Sequence, residues 1–319
     1  MRITNRMMAN SFLTDMNNNL QNLDKIRKQS TSGKNFSKPS DDPSGVIRSM
    51  QLYTGIDANK QYNKNINNVI NWLDVTDTAL GQVENQIGSI RDKLFGGGNP
   101  GYGPTERKAL KDEINGIIGS MSQSLNTTFD GKYIFSGTRV TAKPTNIQQN
   151  GGNNEIIYLS KDGKTEIKKG DNEYIQIQAD LKTEISEGVI MEYNVGATEI
   201  LEGGGVNLIQ VLKDIVTHLD SNDEKEVSKL YNEDLGNIDK ALNNVLKIRS
   251  EVGAKQNRMD SAKKMNEETN FNMTEILSSV EDIDIVEKNM EYAVLQSVYI
   301  SSLQMSAKVL QPTLMDYLR

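Results

Sequence analysis

The side chains most able to do chemistry here are the adjacent carboxylates Asp41 and Asp42, the single imidazole of His218, and the glycine runs Gly96 to Gly98 and Gly203 to Gly205. Adjacent carboxylates can hold a cation or share a proton. Asp41 and Asp42 stand directly before Pro43, however, where a carboxylate accepts from the free amides of a first helical turn and opposes the helix dipole. Capping is therefore expected. A Ser-His-Asp triad or a histidine metal cluster would depend wholly on His218, which is expected to be a solvated helix residue. Neither glycine run ends in the Gly-Lys-Ser/Thr of a phosphate-binding loop, so both are expected to be loops or hinges. With no cysteine there is no disulfide and no thiolate ligand. Trp72 is the sole tryptophan, and no aromatic-rich sugar cleft is suggested for paired carboxylates to serve. No catalytic, metal or cofactor-binding residue is assigned, and the expected role is not enzymatic.

The elements that would carry these residues are mostly helices. Of 319 residues, 36% are hydrophobic and only 6% aromatic, with 25% charged. That is little for a thick core and ample for helices that share narrow apolar seams, so an elongated molecule is expected. The net charge of −7, without a long basic stripe, argues against a nucleic-acid partner. Met1 to Arg6 lead into Asn17-Asn18-Asn19 rather than into an apolar run with a small-residue cleavage site, so no cleaved secretory signal is expected. No stretch approaches the roughly 18 consecutive apolar residues of a membrane span, and no membrane partner is expected.

Along the chain, Leu13, Met16, Leu20 and Leu23 recur at steps of three and four, which predicts a helix over about 5–30. The stretch Ser32 to Gly45, with Pro39 and Pro43, breaks it and sets a turn. A heptad-like seam through Ile66, Ile70, Leu73, Leu80, Val83, Ile87, Ile90 and Leu94 predicts a long second helix over about 43–95, with Thr76 or Asp77 in the missing slot. A third, over about 104–128, carries Leu110, Ile114, Ile117, Met121 and Leu125 and should return antiparallel to the second. From about 130 to 205 short alternating runs, Glu155 to Leu159 and Glu173 to Gln178, predict a β-rich insert. Helical spacing resumes at Leu208, Leu212, Ile215 and Leu219. A long helix is expected over about 223–270, and a last one over about 275–317 with Met290, Ile300, Leu303 and Leu310 in its stripe. Residues 1–45 carry a net +3 and residues 275–319 a net −4, which favours pairing of the two ends in one coiled coil.

Four stretches resemble the bacterial flagellins and their flagellin-like relatives, the hook-filament junction proteins also called hook-associated protein 3. They are Met1-Arg2-Ile3-Thr4, the turn Ser32 to Gly45 with its Ser40-Asp41-Asp42-Pro43 core, the junction Asn126 to Thr138, and Ser279 to Asp284 at the start of the terminal segment. Three features are closer to the junction proteins than to the filament flagellins. These are Trp72 to Leu80, Gly131 to Thr138, and the ending Leu314 to Arg319. The insert itself matches nothing in the family pattern.

The resemblance implies a mainly α protein with a β-rich insert, organised as a flagellin-like helical bundle whose terminal helices form a coiled coil. Residues 1–42 with 275–319 would form a terminal assembly segment, 43–135 with 206–274 a long-helix bundle, and 136–205 an outer domain. The implied function is a structural adaptor between flagellar hook and filament, with a filament subunit as the alternative. Implied partners are copies of the same chain in a ring, a neighbouring hook-associated protein, flagellin, and an export chaperone on the C-terminal helix. The implied place is the flagellum outside the cell, reached by the flagellar type III export route. The residues expected to form the assembly seam are Leu13, Met16, Leu20, Leu23, Met290, Ile300, Leu303, Leu310 and Leu314. Pro39, Asp41, Asp42 and Pro43 are expected to set the angle between segments.

Overall fold

Proline, glycine and aspartate set where the helices start and stop. The computed structural model describes residues 5–97, 103–221 and 223–309. Helix α1, Asn5–Ser32, ends at Gly33. That residue takes φ +71° and sends its amide to the Gln29 carbonyl at 2.8 Å, a left-handed cap that glycine adopts without a Cβ penalty. Helix α2 then runs over Pro43–Gly97 and α3 over Pro104–Leu125, each beginning at a proline whose missing N–H costs nothing there.

After α3 the chain forms three separate antiparallel hairpins rather than one sheet. They pair β1 (Thr128–Phe129) with β2 (Lys132–Tyr133), β3 (Thr145–Asn150) with β4 (Asn153–Tyr158), and β5 (Lys182–Ser186) with β6 (Val189–Glu192). The β1–β2 turn is Asp130-Gly131, both at positive φ, and the β3–β4 turn is Gly151-Gly152, likewise. These are the residues that two-residue hairpins select.

One expected strand is a helix. Residues 172–178 form α4 (Asn172–Gln178), because Tyr174 and Ile177, three apart, are buried together while Ile175 points out. Tyr174 meets Tyr158 edge to face at 5.5 Å between ring centres. Burial of an i, i+3 pair outweighs the local alternation that favoured a strand. The chain continues through α5 (Ala197–Glu202), α6 (Leu208–Asp220), α7 (Glu224–Lys229), a π-helical turn at Leu230–Asp234, α8 (Leu235–Glu281) and α9 (Ile285–Val309). The long helix expected from about 223 is thus interrupted by the π turn. It also extends past Asn270, so that Ser279 to Glu281 finish α8 rather than begin the terminal helix.

The chain divides into two compact units, residues 1–60 with 268–319 and residues 61–267. The second unit holds the main core. The α2 seam Ile66, Leu73, Leu80, Val83, Ile87, Ile90 and Leu94 is fully buried, with Ile114, Ile118, Met121 and Leu125 of α3 and Ile238, Val245 and Val252 of α8 in the same cluster. Thr76 fills the missing slot, buried because its hydroxyl donates to the Trp72 carbonyl at 2.8 Å. Asp77 instead faces Arg249 of α8, whose guanidinium pairs with it at 2.9 and 3.1 Å and with Glu84 at 2.5 Å. These bonds, Asp77 first, hold the arginine above its ordinary pKa. Gln86 of α2 donates to Ser124 of α3 at 3.1 Å, and Lys93 pairs with Glu113, so α2 and α3 run antiparallel. Among the described residues no helix is long and apolar enough to cross a membrane.

Candidate functional site

The first unit holds the start of α2 and the end of α8, where Ile56 and Leu277 are buried, together with a helix pair built on a different principle. Helices α1 and α9 pack against each other, antiparallel because the residues after α1 pair with those before α9 in an antiparallel bridge, Lys34 to Asp282. On α1 Ala9, Phe12, Met16, Asn19, Leu23 and Ile26, stepping by three and four, are partly buried, as are Asp24, Gln29 and Ser30 towards its C-terminal end. On α9 Lys288, Tyr292, Leu295, Tyr299, Ser302 and Ser306 are partly buried in the same alternation, with Glu291 beside them. This is a heptad seam in which, among the described residues, none is fully buried. Its lower end opens into a groove of about 610 Å³ between Ile26, Gln29, Met290 and Leu295.

The expected seam residues fall on two faces. Met16 and Leu23 lie in the α1–α9 contact. Leu13 is 48% exposed and Leu20 40%, and Met290, Ile300 and Leu303 are exposed as well. They are accompanied by Ile285, Val286, Val294, Val298 and Met305 on α9 and by Met7 and Met8 on α1. Leu310 and Leu314 lie outside the described residues. The pair therefore satisfies one stripe internally and leaves a second, larger apolar surface outward. Phe12 and Ile26 belong to the internal stripe and can be found in the sequence only by a heptad frame that passes through Asn19. Tyr292, Tyr299, Ser302 and Ser306 are too polar for an apolar count to reach.

The turn between α1 and α2 is held by its two aspartates, each in a different way. Asp41 Oδ2 accepts from the amides of Ser37 and Lys38 at 3.1 and 3.0 Å, closing the loop over Pro39. Asp42 Oδ1 accepts from the amides of Ser44 and Gly45 at 3.1 and 3.0 Å and from the Ser44 hydroxyl at 2.8 Å, capping α2 ahead of Pro43. Both carboxyls sit below the usual carboxylate pKa. The Ser37 amide is the largest cause for Asp41, and the Gly45 amide for Asp42. Gly45 is required at close quarters: a Cβ there would stand 2.4 Å from Asp42 Oδ2 and 2.9 Å from the Phe36 ring.

This turn interlocks with the break between α8 and α9. The Asn35 amide donates to the Glu281 carbonyl at 2.7 Å and the Ile283 amide to the Gly33 carbonyl at 3.1 Å. Asn35 Nδ2 reaches the Asp282 carbonyl at 2.9 Å, and Lys34 Nζ pairs with Asp282 at 2.8 Å and Glu281 at 3.4 Å. Tyr53 donates to the second Glu281 oxygen at 2.8 Å, and Ser278 to Asp282 at 2.7 Å. Lys34, then Ser278, hold Asp282 below its ordinary pKa, and Asp282 raises that of Lys34. The break exists because Asp284 caps α9, accepting from the amides of Val286 and Glu287 at 2.8 and 3.2 Å.

The remaining candidate for chemistry lies elsewhere. His218 is not a solvated helix residue. Its Nδ1 lies 2.6 Å from the buried Asp234 of the π turn and its Nε2 3.2 Å from Glu226. Burial raises the Asp234 pKa, against the pull of the His218 bond. The arrangement ties α6 to α7 and the π turn. Among the described residues no group of three acidic, histidine or cysteine side chains is placed to hold a metal ion.

The model of the bacterial flagellin N-terminal helical region matches residues 3–140, which include the β1–β2 hairpin, and that of the C-terminal helical region matches 235–318, so that the β3–β4 and β5–β6 hairpins lie between the two. The chain is 25% identical over 289 residues to flagellar hook-associated protein 3 of Escherichia coli, covering 89% of each chain. It is 23% identical over 308 residues to that of Salmonella typhimurium, covering 94% of this chain and 95% of the relative. The fold is shared with a solved flagellar hook-associated protein from Vibrio parahaemolyticus, with a TM-score of 0.62, 23% identity, and coverage of 76% of this chain and 100% of that one.

Proposed function

We propose that this chain, which belongs to the bacterial flagellin-like family by the two helical regions matched at its ends, is a structural adaptor subunit joining the flagellar hook to the flagellin filament. Two relatives matched over nearly the whole length carry the name flagellar hook-associated protein 3, at 25% and 23% identity. The observation that carries the reading is the α1–α9 pair, which leaves Leu13, Leu20, Met290, Ile300 and Leu303 exposed. Covering such a surface contributes roughly 25 cal/mol per Å² of apolar area before ordering costs, and neighbouring subunits are the natural cover. The work is assembly rather than catalysis. Neighbours above and below would be flagellin and another hook-associated protein, with copies of the chain beside it in a ring. Before assembly an export chaperone would cover the C-terminal helix, and the chain would leave the cell without a cleaved signal.

Deletion of the gene followed by electron microscopy tests the role. Hooks without filaments, with flagellin shed into the medium, are the expected result, and intact filaments would overturn it. The family models that match both ends are named for flagellin itself, which favours a filament subunit as the second reading. Polymerisation of the purified protein alone into long filaments would decide for that reading.

A further inference from the structure

The α1–α9 seam does not by itself specify a register. Its α1 side passes through Asn19 and its α9 side through Tyr299 and Ser302, all only partly buried, and each helix carries a competing apolar stripe beside the one in use. On α1 the competitors are Leu13 and Leu20, and on α9 Met290, Val294 and Val298. Sliding one helix by a heptad, about 10 Å at 1.5 Å per residue, would present a seam of similar quality.

We propose that the interlocked turns are a register latch, which fixes the axial register of α1 against α9 and so sets which outward-facing residues of the two helices stand level with each other. The latch has the specificity that the seam lacks. Its two backbone bonds run in opposite directions, Asn35 amide to Glu281 carbonyl and Ile283 amide to Gly33 carbonyl. A shift of one residue breaks both at once and carries Lys34 away from Asp282 and Glu281. Tyr53 and Ser278 hold the acidic side from behind, so Glu281 and Asp282 stand ready for Lys34. Gly33 belongs to the device as well. Its left-handed φ of +71° turns the chain out of α1 and leaves its carbonyl to receive Ile283. The latch rests on the proposed function only in taking the outward face as the assembly surface.

Because the chain has no cysteine, register can be read directly. Spin labels attached at Thr14→Cys and Gln304→Cys, both exposed positions on the paired helices, should give one narrow distance in the otherwise unaltered protein. Adding Lys34→Met with Asn35→Pro, which also removes the Asn35 amide, should broaden or split that distribution by about 10 Å, one heptad. Ser278→Ala, which frees only the Asp282 carboxylate, should broaden it less. An unchanged single distance in the double variant would overturn the latch. Hydrogen exchange on the parent protein needs no substitution. The Asn35 and Ile283 amides should be protected together, and free exchange at either refutes the device. If the gene deletion shows no junction role while these distances shift, the latch stands and the functional proposal falls. The reverse result removes the latch alone.

Discussion

Two glycines of the insert-forming region share a backbone conformation but differ in surroundings, and replacing each by alanine should separate the costs of strain and space. Gly131, in the β1–β2 turn, has φ +72° and no atom within 4 Å of where a Cβ would stand. Gly137 has φ +61°, but its Cβ would stand 2.3 Å from the Gln176 carbonyl oxygen and 2.5 Å from that of Ile177. A left-handed alanine costs about 1 kcal/mol in either place. At Gly137 the end of α4 must also move by nearly an ångström, which strains the bonds that the Thr138 amide and hydroxyl give the Gln176 carbonyl at 3.0 and 3.1 Å. Retreat is blocked on the other side. The Ile177 carbonyl oxygen already lies so near Gly196 that a Cβ there would be 2.8 Å away. Two weakened hydrogen bonds at about 1 kcal/mol each and an overpacking term of about 1–3 kcal/mol bring Gly137→Ala to roughly 5 kcal/mol. Gly131→Ala should stay near 1 kcal/mol. Urea unfolding followed by the fluorescence of Trp72, buried between the edges of Phe129 and Tyr193, reads both. If the two variants fall within about 1 kcal/mol of each other, the steric argument is wrong.

Leu303→Asp should leave the unfolding free energy of the isolated chain within about 0.5 kcal/mol, because the residue is exposed. It should nevertheless abolish filament attachment in cells, and normal motility would remove Leu303 from the assembly surface. Arg249→Ala breaks the pairing of α8 with Asp77 and Glu84 on α2 and should cost about 1–2 kcal/mol after allowance for partial exposure, measured as a lower urea midpoint. Asp282 has a folded pKa below its unfolded one, so its contribution is complete above a carboxylate's usual value of about 3.9 and is lost as pH falls through the lower folded value. The spin-label distribution should therefore broaden on acidification in the parent, and should be broad and insensitive to that step in Asp282→Asn. Equal acid responses in both would refute the assignment.

The helices of the second unit were legible because their seams are apolar at nearly every step, Thr76 excepted. Leu73, Leu80, Val83, Ile87 and Leu94 step by three and four and are all fully buried, and Pro104 marks the start of α3. Asp42 could be read as a cap from its place before Pro43. The β-rich insert was legible in the run Glu155 to Leu159, which holds most of β4, while the turns Asp130-Gly131 and Gly151-Gly152 were not singled out. Residues 173–178 misled because Tyr174, Ile175 and Ile177 fit alternation as well as a helical turn. What decides is Tyr158, which reaches Tyr174 from a hairpin 16 residues earlier. His218 misled for the same reason, since Asp234 comes to it only through the π turn.

The assembly face was legible only in part, because one helix carries two overlapping stripes. Leu13, Met16, Leu20 and Leu23 form a regular apolar set, yet the structure shares it between an internal contact, Met16 and Leu23, and an outward face, Leu13 and Leu20. A sequence cannot divide such a set, since each residue has the same transfer free energy wherever its cover comes from. The division is made by the partner helix. The α9 positions that meet α1 include Tyr292, Tyr299, Ser302 and Ser306, while most of its aliphatic residues face away. A helix pair built to stand alone would do the opposite and place its aliphatic side chains inward. By placing polar and aromatic residues in its own seam and Val286, Met290, Val294, Ile300 and Leu303 outside, the terminal pair gives up stability as a monomer, and under the proposed function that exposed apolar surface is what neighbouring subunits would cover. An isolated chain should therefore melt α1 and α9 well before the second unit, and assembly should bring the two transitions together.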